Sequence, residues 1–142
     1  MADQAIPAAV KRVPDWEMRL AALVTERLQT PFEWGMNDCV LFAADCIHAM
    51  TGADPVAALR RQWADQVEAV RSIARLGGLQ SAVTQRMGQP TGPLYAQRGD
   101  LVLHCRDGTE SLAICLGEHL TGPSDSGLLF FGLEHGVHAW RV

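Results

Sequence analysis

The 142-residue chain lacks any apolar run approaching the roughly 20 residues of a membrane span, so insertion into a bilayer is not expected. Its first residues, Met1-Ala2-Asp3-Gln4-Ala5-Ile6-Pro7, have neither a charged start nor an apolar core and do not read as a signal peptide. Synthesis in the cytoplasm is the expectation. No basic cluster is longer than Arg60-Arg61, and the net charge is −4, which argues against nucleic acid and anionic membrane surfaces as partners. The four cysteines, at 39, 46, 105 and 115, show no Cys-x-x-Cys spacing, so a zinc ribbon is not expected. An iron–sulfur site using all four is not excluded by spacing alone. In a reducing compartment free thiols are the default. No His-x-x-x-His or Glu-x-x-His pair marks a metal-binding helix, and no Lys-Ser/Thr follows Gly77-Gly78 to make a phosphate loop. No resident metal or cofactor is therefore expected. Repeats and low-complexity segments are also absent.

What remains is the composition of a globular domain, 48% hydrophobic and 20% charged, at a length that buries one core. Residues 1–13 read as a tail and 14–142 as a single domain. Pro14 suits a first helical position, and Trp16, Leu20, Leu23, Val24 and Leu28 recur at helical spacing up to Thr30-Pro31. A second helix over 38–50 is apolar on most faces, as a central buried helix is, with Asp45 and His48 as polar exceptions. Asp54-Pro55 opens a third helix reaching about Trp63, Gln66–Leu76 is a fourth, and Leu79–Met87 a fifth. Strand-like content follows. Leu101–Cys105 and Glu110–Leu116 flank Asp107-Gly108, a strong hairpin signal. Gly127–Gly132 and Val137–Val142 form a second expected pair. Helices followed by an antiparallel sheet is an α+β order.

The densest chemistry lies in Trp34-Gly35-Met36-Asn37-Asp38-Cys39. Asn37 or Asp38 can cap the second helix, which places Cys39 in its first turn, where the helix dipole favours thiolate. A thiolate so placed is a nucleophile. The competing reading of Cys39 is a small buried hydrophobe in a core helix. Asp38 reads as a cap rather than a catalytic acid, and Trp34 as a wall of any cleft beside the cysteine.

Those residues, with Phe42, resemble the nucleophile motif of NlpC-type papain-like cysteine peptidases. Arg98-Gly99-Asp100-Leu101-Val102-Leu103 is similar to the strand that opens that family's small sheet, and Ala113-Ile114-Cys115-Leu116-Gly117 to the next strand. The likeness covers residues 31–142. Gly77-Gly78-Leu79 and the closing His138-Ala139-Trp140-Arg141-Val142 fit a branch of short, uncharacterised proteins encoded in phage and prophage tail gene clusters. The resemblance implies a papain-like fold with N-terminal helices packed on a C-terminal antiparallel sheet. It also implies Cys39 as nucleophile and a base at the position held here by Ser111. A serine hydroxyl cannot take a proton from a thiol near neutral pH, so the inherited pair is broken.

One local repair is visible. With Asp107-Gly108 as a two-residue turn, His104 opposes Ser111, and opposed residues on an antiparallel pair share a face, Cβ atoms about 5 Å apart. His104 then substitutes for the missing base, or it is an ordinary polar residue at a strand end; a register shift of one would turn it away. His138 is the candidate for a third member that orients the base. Two functions follow. The first is a structural or assembly protein of a phage tail tip, carried in the virion and partnered by other tail-tip or baseplate proteins. The second is an active endopeptidase or amidase cleaving peptidoglycan stem peptides through Cys39.

Overall fold

A computed structural model describes residues 11–142; the greater part of the tail expected at 1–13 lies outside the described residues. Helix α1 (Trp16–Arg27) and helix α2 (Cys39–Thr51) pack against each other, followed by α3 (Gln66–Arg75) and α4 (Leu79–Met87). The sheet contains β1 (Leu101–Arg106), β2 (Thr109–Cys115), β3 (His119–Ser124), β4 (Gly127–Gly132) and β5 (Gly136–Trp140). Every pairing is antiparallel, in the order β4-β3-β2-β1-β5. The architecture is α+β, with the helices gathered in the first part of the chain and the sheet in the second. No helix among the described residues is long and apolar enough to cross a membrane.

Helix α2 is the spine of the molecule. Asp38 accepts from the Leu41 N–H at 3.0 Å, and Gly52, at φ 81°, ends the helix in the left-handed conformation that glycine adopts without strain. One side of α2, with Phe42, Cys46, Ile47 and Met50, meets Leu101, Leu103, Leu112, Ile114 and Trp140 of the sheet. Its other side, with Leu41 and Ala44, packs on Val56, Trp63 and Ala69. The far face of the sheet buries Val102, Ala113, Cys115, Leu120 and Ala139 under Ala96, Phe131 and Leu133. The first three residues of β1, Leu101–Leu103, are buried on both faces and form a continuous apolar run rather than an alternation. The two ends of the described chain are tied together. Arg12 donates to the Val142 carbonyl and to Asp100, at 3.0 Å each, and Asp100 also accepts from the Val142 N–H.

Three expectations are corrected. The helix expected over 54–63 is reduced to a single 3-10 turn, Ala57–Leu59. Asp54 turns its carboxylate onto the Val56 N–H and the Arg60 guanidinium, Arg60 also bridges to Asp45, and Arg61 adopts φ 69°, which no helix tolerates. The segment His119–Ser124, which lies outside the strands expected from the sequence, is strand β3. Finally, the strand near the C-terminus does not pair with β4. It crosses the sheet to β1, placing Leu103 opposite His138, while β4 pairs with β3. Pro123 obscured β3, because proline cannot donate to a ladder and reads as a non-strand residue. The β2–β3 ladder indeed runs only through Ile114–Thr121 and Cys115–Leu120, and stops before Gly122-Pro123. That stop leaves a gap beside Ser111 and Leu112, on which the candidate site depends.

Candidate functional site

Cys39 is the first residue of α2, and the loop before it is built to hold it there. Asp38 is fully buried and accepts three bonds, from the Gly35 N–H (2.9 Å), the Leu41 N–H (3.0 Å) and the Trp63 indole N–H (2.7 Å). With its oxygens so occupied it is a cap and an anchor, not a proton carrier. Asn37 accepts from Arg27 at 3.0 Å and donates to the Pro31 carbonyl at 3.1 Å. Gly35 sits at φ 81° with the Trp63 carbonyl where any Cβ would lie, so the loop closes on the Trp63 backbone only with glycine. Trp34 packs edge-on to Phe32, ring centroids 4.7 Å apart.

Ser111 and Leu112 line a cavity together with Cys39. The thiol faces two clefts. One, of about 340 Å³, is walled mainly by apolar residues, among them Trp34, Trp63, Val70, Ile73 and Leu79. The other, of about 260 Å³, occupies the gap where the β2–β3 ladder stops, and brings Cys39 together with His104, Arg106, Thr109, Ser111 and Phe131.

The β1–β2 register is the one the Asp107-Gly108 turn predicts, with Arg106 opposite Thr109, Cys105 opposite Glu110 and His104 opposite Ser111. Asp107 at φ 52° and Gly108 at φ 77° give the twist that hairpin strands need. His104 is thus delivered to the cavity that Cys39 lines, but no hydrogen bond joins the two among the described residues. Its ring packs on Phe131, centroids 4.7 Å apart, and its Nδ1 is buried without a partner. Burial, together with Arg106 and His135 nearby, pushes His104 down to about 4, so the ring is neutral near pH 7. Arg106 stacks its guanidinium over the same Phe131 ring at 4.7 Å.

The thiolate expected at the helix start meets a stronger opposing effect. Burial pushes the Cys39 thiol above its ordinary value, and the neighbouring Asp38 carboxylate adds to the rise. The contacts from Leu112, Ser111 and Val40 pull the other way without overcoming it. His138 is not brought to the site. It stands opposite Leu103 on β5, with its ring 6.2 Å from that of Trp140, and lines neither cleft. The four cysteines do not converge either: Cys46 is buried inside α2, Cys105 is exposed on β1 and Cys115 is buried under the sheet. Among the described residues no three His, Cys, Asp or Glu side chains are grouped to hold a metal ion. Phe131 was not legible as a neighbour of His104, because its approach depends on where β4 lies in the sheet, whereas Arg106 stands two residues from His104 along β1.

Residues 11–142 match the family described as a domain of unknown function, DUF6950, and the chain belongs to it. No curated protein matches the chain.

Proposed function

We propose that this DUF6950 protein is an NlpC-like, papain-type scaffold that serves as a structural or assembly component of a phage tail tip, with the nucleophile's place retained and its chemistry lost. The carrying observation is the partner of Cys39. At the position where the resemblance calls for a basic imidazole stands Ser111, which lines one cavity with Cys39 and offers only a hydroxyl. Burial holds the thiol in its protonated form, and the nearest imidazole, that of His104, is too weak a base near pH 7 to remove the proton. Further support comes from the layout, a cysteine-headed helix laid on an antiparallel sheet. The tail-tip assignment rests on the sequence likeness to proteins of tail gene clusters, and detection of the chain in purified virions tests it.

The chemistry is tested by labelling the full chain with iodoacetamide across pH, with mass spectrometry resolving all four thiols. On this reading Cys39 reacts no faster than exposed Cys105, with a midpoint above the free-thiol value of about 8.5. Selective reaction of Cys39 with a midpoint below about pH 7 would overturn it.

One observation favours the alternative, an active cysteine endopeptidase or amidase on peptidoglycan stem peptides. Cys39 and His104 line a single cavity, and the His104 Nδ1 has no partner. On that reading a bound substrate draws the imidazole to the sulfur, and His104 takes the Cys39 proton as the thiolate attacks the carbonyl. Hydrolysis of stem peptides by the wild type, lost in both Cys39→Ala and His104→Ala, selects this alternative.

A further inference from the structure

The β3–β4 hairpin is held more firmly to itself than to the rest of the sheet. Strands β3 and β4 pair along their whole length, from His119 opposite Gly132 to Ser124 opposite Gly127. Strand β3 meets β2 only through Ile114–Thr121 and Cys115–Leu120. Leu120 and Thr121 are fully buried and anchor that short ladder. Beyond them Gly122 has no side chain and Pro123 no N–H to give a ladder, so the hairpin parts from β2 there.

The parted segment forms part of the wall of the cavity of about 260 Å³ beside Cys39. Pro123, Leu129 and Phe131 of the hairpin line it together with Cys39, His104 and Ser111. Two backbone bonds fasten the segment to the connection between α1 and α2. The Phe32 N–H donates to the Ser124 carbonyl at 2.8 Å, and the Leu128 N–H to the Leu28 carbonyl at 2.9 Å. Leu128 also packs at the margin of the main core. The remaining fastening is the Phe131 ring on the His104 ring, centroids 4.7 Å apart.

That ring contact is the fastening a proton can loosen. His104 is only 6% exposed and its Nδ1 has no partner, so its charged form is neither paired nor hydrated while Phe131 covers it. Arg106 on β1 and His135 in the 3-10 turn Leu133–His135 oppose that form. The carboxylates nearby are Asp107, which lines the same cavity, and Glu134, 3.8 Å from His135. They do not outweigh burial, and the Cys39 thiol is held uncharged. Lifting the hairpin takes Phe131 off the ring and lets water reach the charge.

We propose that the β3–β4 hairpin is an acid-released lid over the gap beside Cys39, hinged at Leu120–Thr121 and latched by the packing of Phe131 on His104. With the lid down His104 titrates at about 4, and with its ring in water it returns to the ordinary 6.5. The latch is intact above pH 6.5 and weakens as pH falls toward 4. The open fraction therefore rises by at least about tenfold between pH 7 and pH 4.5. The lid does not depend on whether Cys39 reacts.

The test is residue-resolved amide exchange on the full chain at pH 7 and pH 4.5, corrected for the intrinsic pH dependence and repeated in low urea. The Phe32 and Leu128 amides close the seam of the lid. They are expected to exchange at least about tenfold faster than the α2 amides at both pH values, with little dependence on urea, as a local opening does. Their opening rises at least about tenfold on acidification. His104→Phe removes that rise, and Phe131→Ala speeds seam exchange already at pH 7. Should a variant fail to fold, the wild-type pH and urea series decides alone. Seam amides that exchange only together with α2, or that ignore pH, overturn the proposal. So does an acid response retained in His104→Phe, or seam exchange unaltered in Phe131→Ala.

Discussion

Ser111 and Cys39 line one cavity, in the gap opened where β2 and β3 part. The pair sets a serine where a base is called for beside the cysteine. Putting an imidazole at 111 is therefore the most direct trial of what the scaffold retains.

Ser111→His is expected to lower the pH midpoint of Cys39 labelling by at least about one unit, because an imidazole beside the sulfur stabilises thiolate. The cavity of about 260 Å³ at this position leaves room for the ring. Ser111→Ala, which adds no base, leaves the midpoint high. If both variants label alike, position 111 does not govern the thiol.

Stability depends on pH through His104. Its folded value of about 4 lies below the ordinary 6.5, so the unfolded chain takes up the proton first as pH falls. The contribution is fully present above pH 6.5, declines below it, and is lost once pH passes through about 4; its size is up to about 3 kcal/mol. Arg106 and His135, both against the Phe131 ring, add to the effect by opposing the positive form of His104. Urea unfolding at a series of pH values will show His104→Phe losing less stability than the wild type between pH 7 and pH 4. Parallel curves for the two proteins would contradict the assignment.

Asp38 holds three donors from a fully buried position, so Asp38→Ala strands the Gly35 and Leu41 amides and the Trp63 indole together. A loss of about 4 kcal/mol in unfolding free energy is expected, combining a lost cap with unsatisfied buried donors. Asp38→Asn retains an acceptor and loses less. In a double-mutant cycle with Trp63→Phe the two losses are less than additive, because the indole bond is removed by either change.

Gly35 and Gly52 share φ 81° but not their surroundings. At Gly52 a Cβ meets open space, so Gly52→Ala costs about 1 kcal/mol of left-handed strain alone. At Gly35 the Trp63 carbonyl already occupies the position, and Gly35→Ala costs at least about 3 kcal/mol. Thermal unfolding of the two single variants separates strain from collision.

Features set by neighbours in the chain were legible from the residues. The Asp38 cap placed Cys39 at the head of α2, and the Asp107-Gly108 turn set the β1–β2 register that puts His104 opposite Ser111. A side-chain oxygen or a left-handed glycine acts within a few residues, so its signal survives in the linear order. Features set by distant partners did not survive. Pro123 belongs to a strand only because the ladder toward β2 has already ended, and β5 leaves β4 for β1 across the sheet. His138 is carried away from Cys39 by that crossing. Arg86 reads as an ordinary cation at a helix end until the packing of α4 on α2 and the sheet encloses it. The residue types determined which groups could act on Cys39, namely a serine, a histidine and a run of helix-start donors. Only the tertiary structure decided their strength, because burial depends on what the rest of the chain packs around them. That burial keeps the thiol protonated and the imidazole neutral.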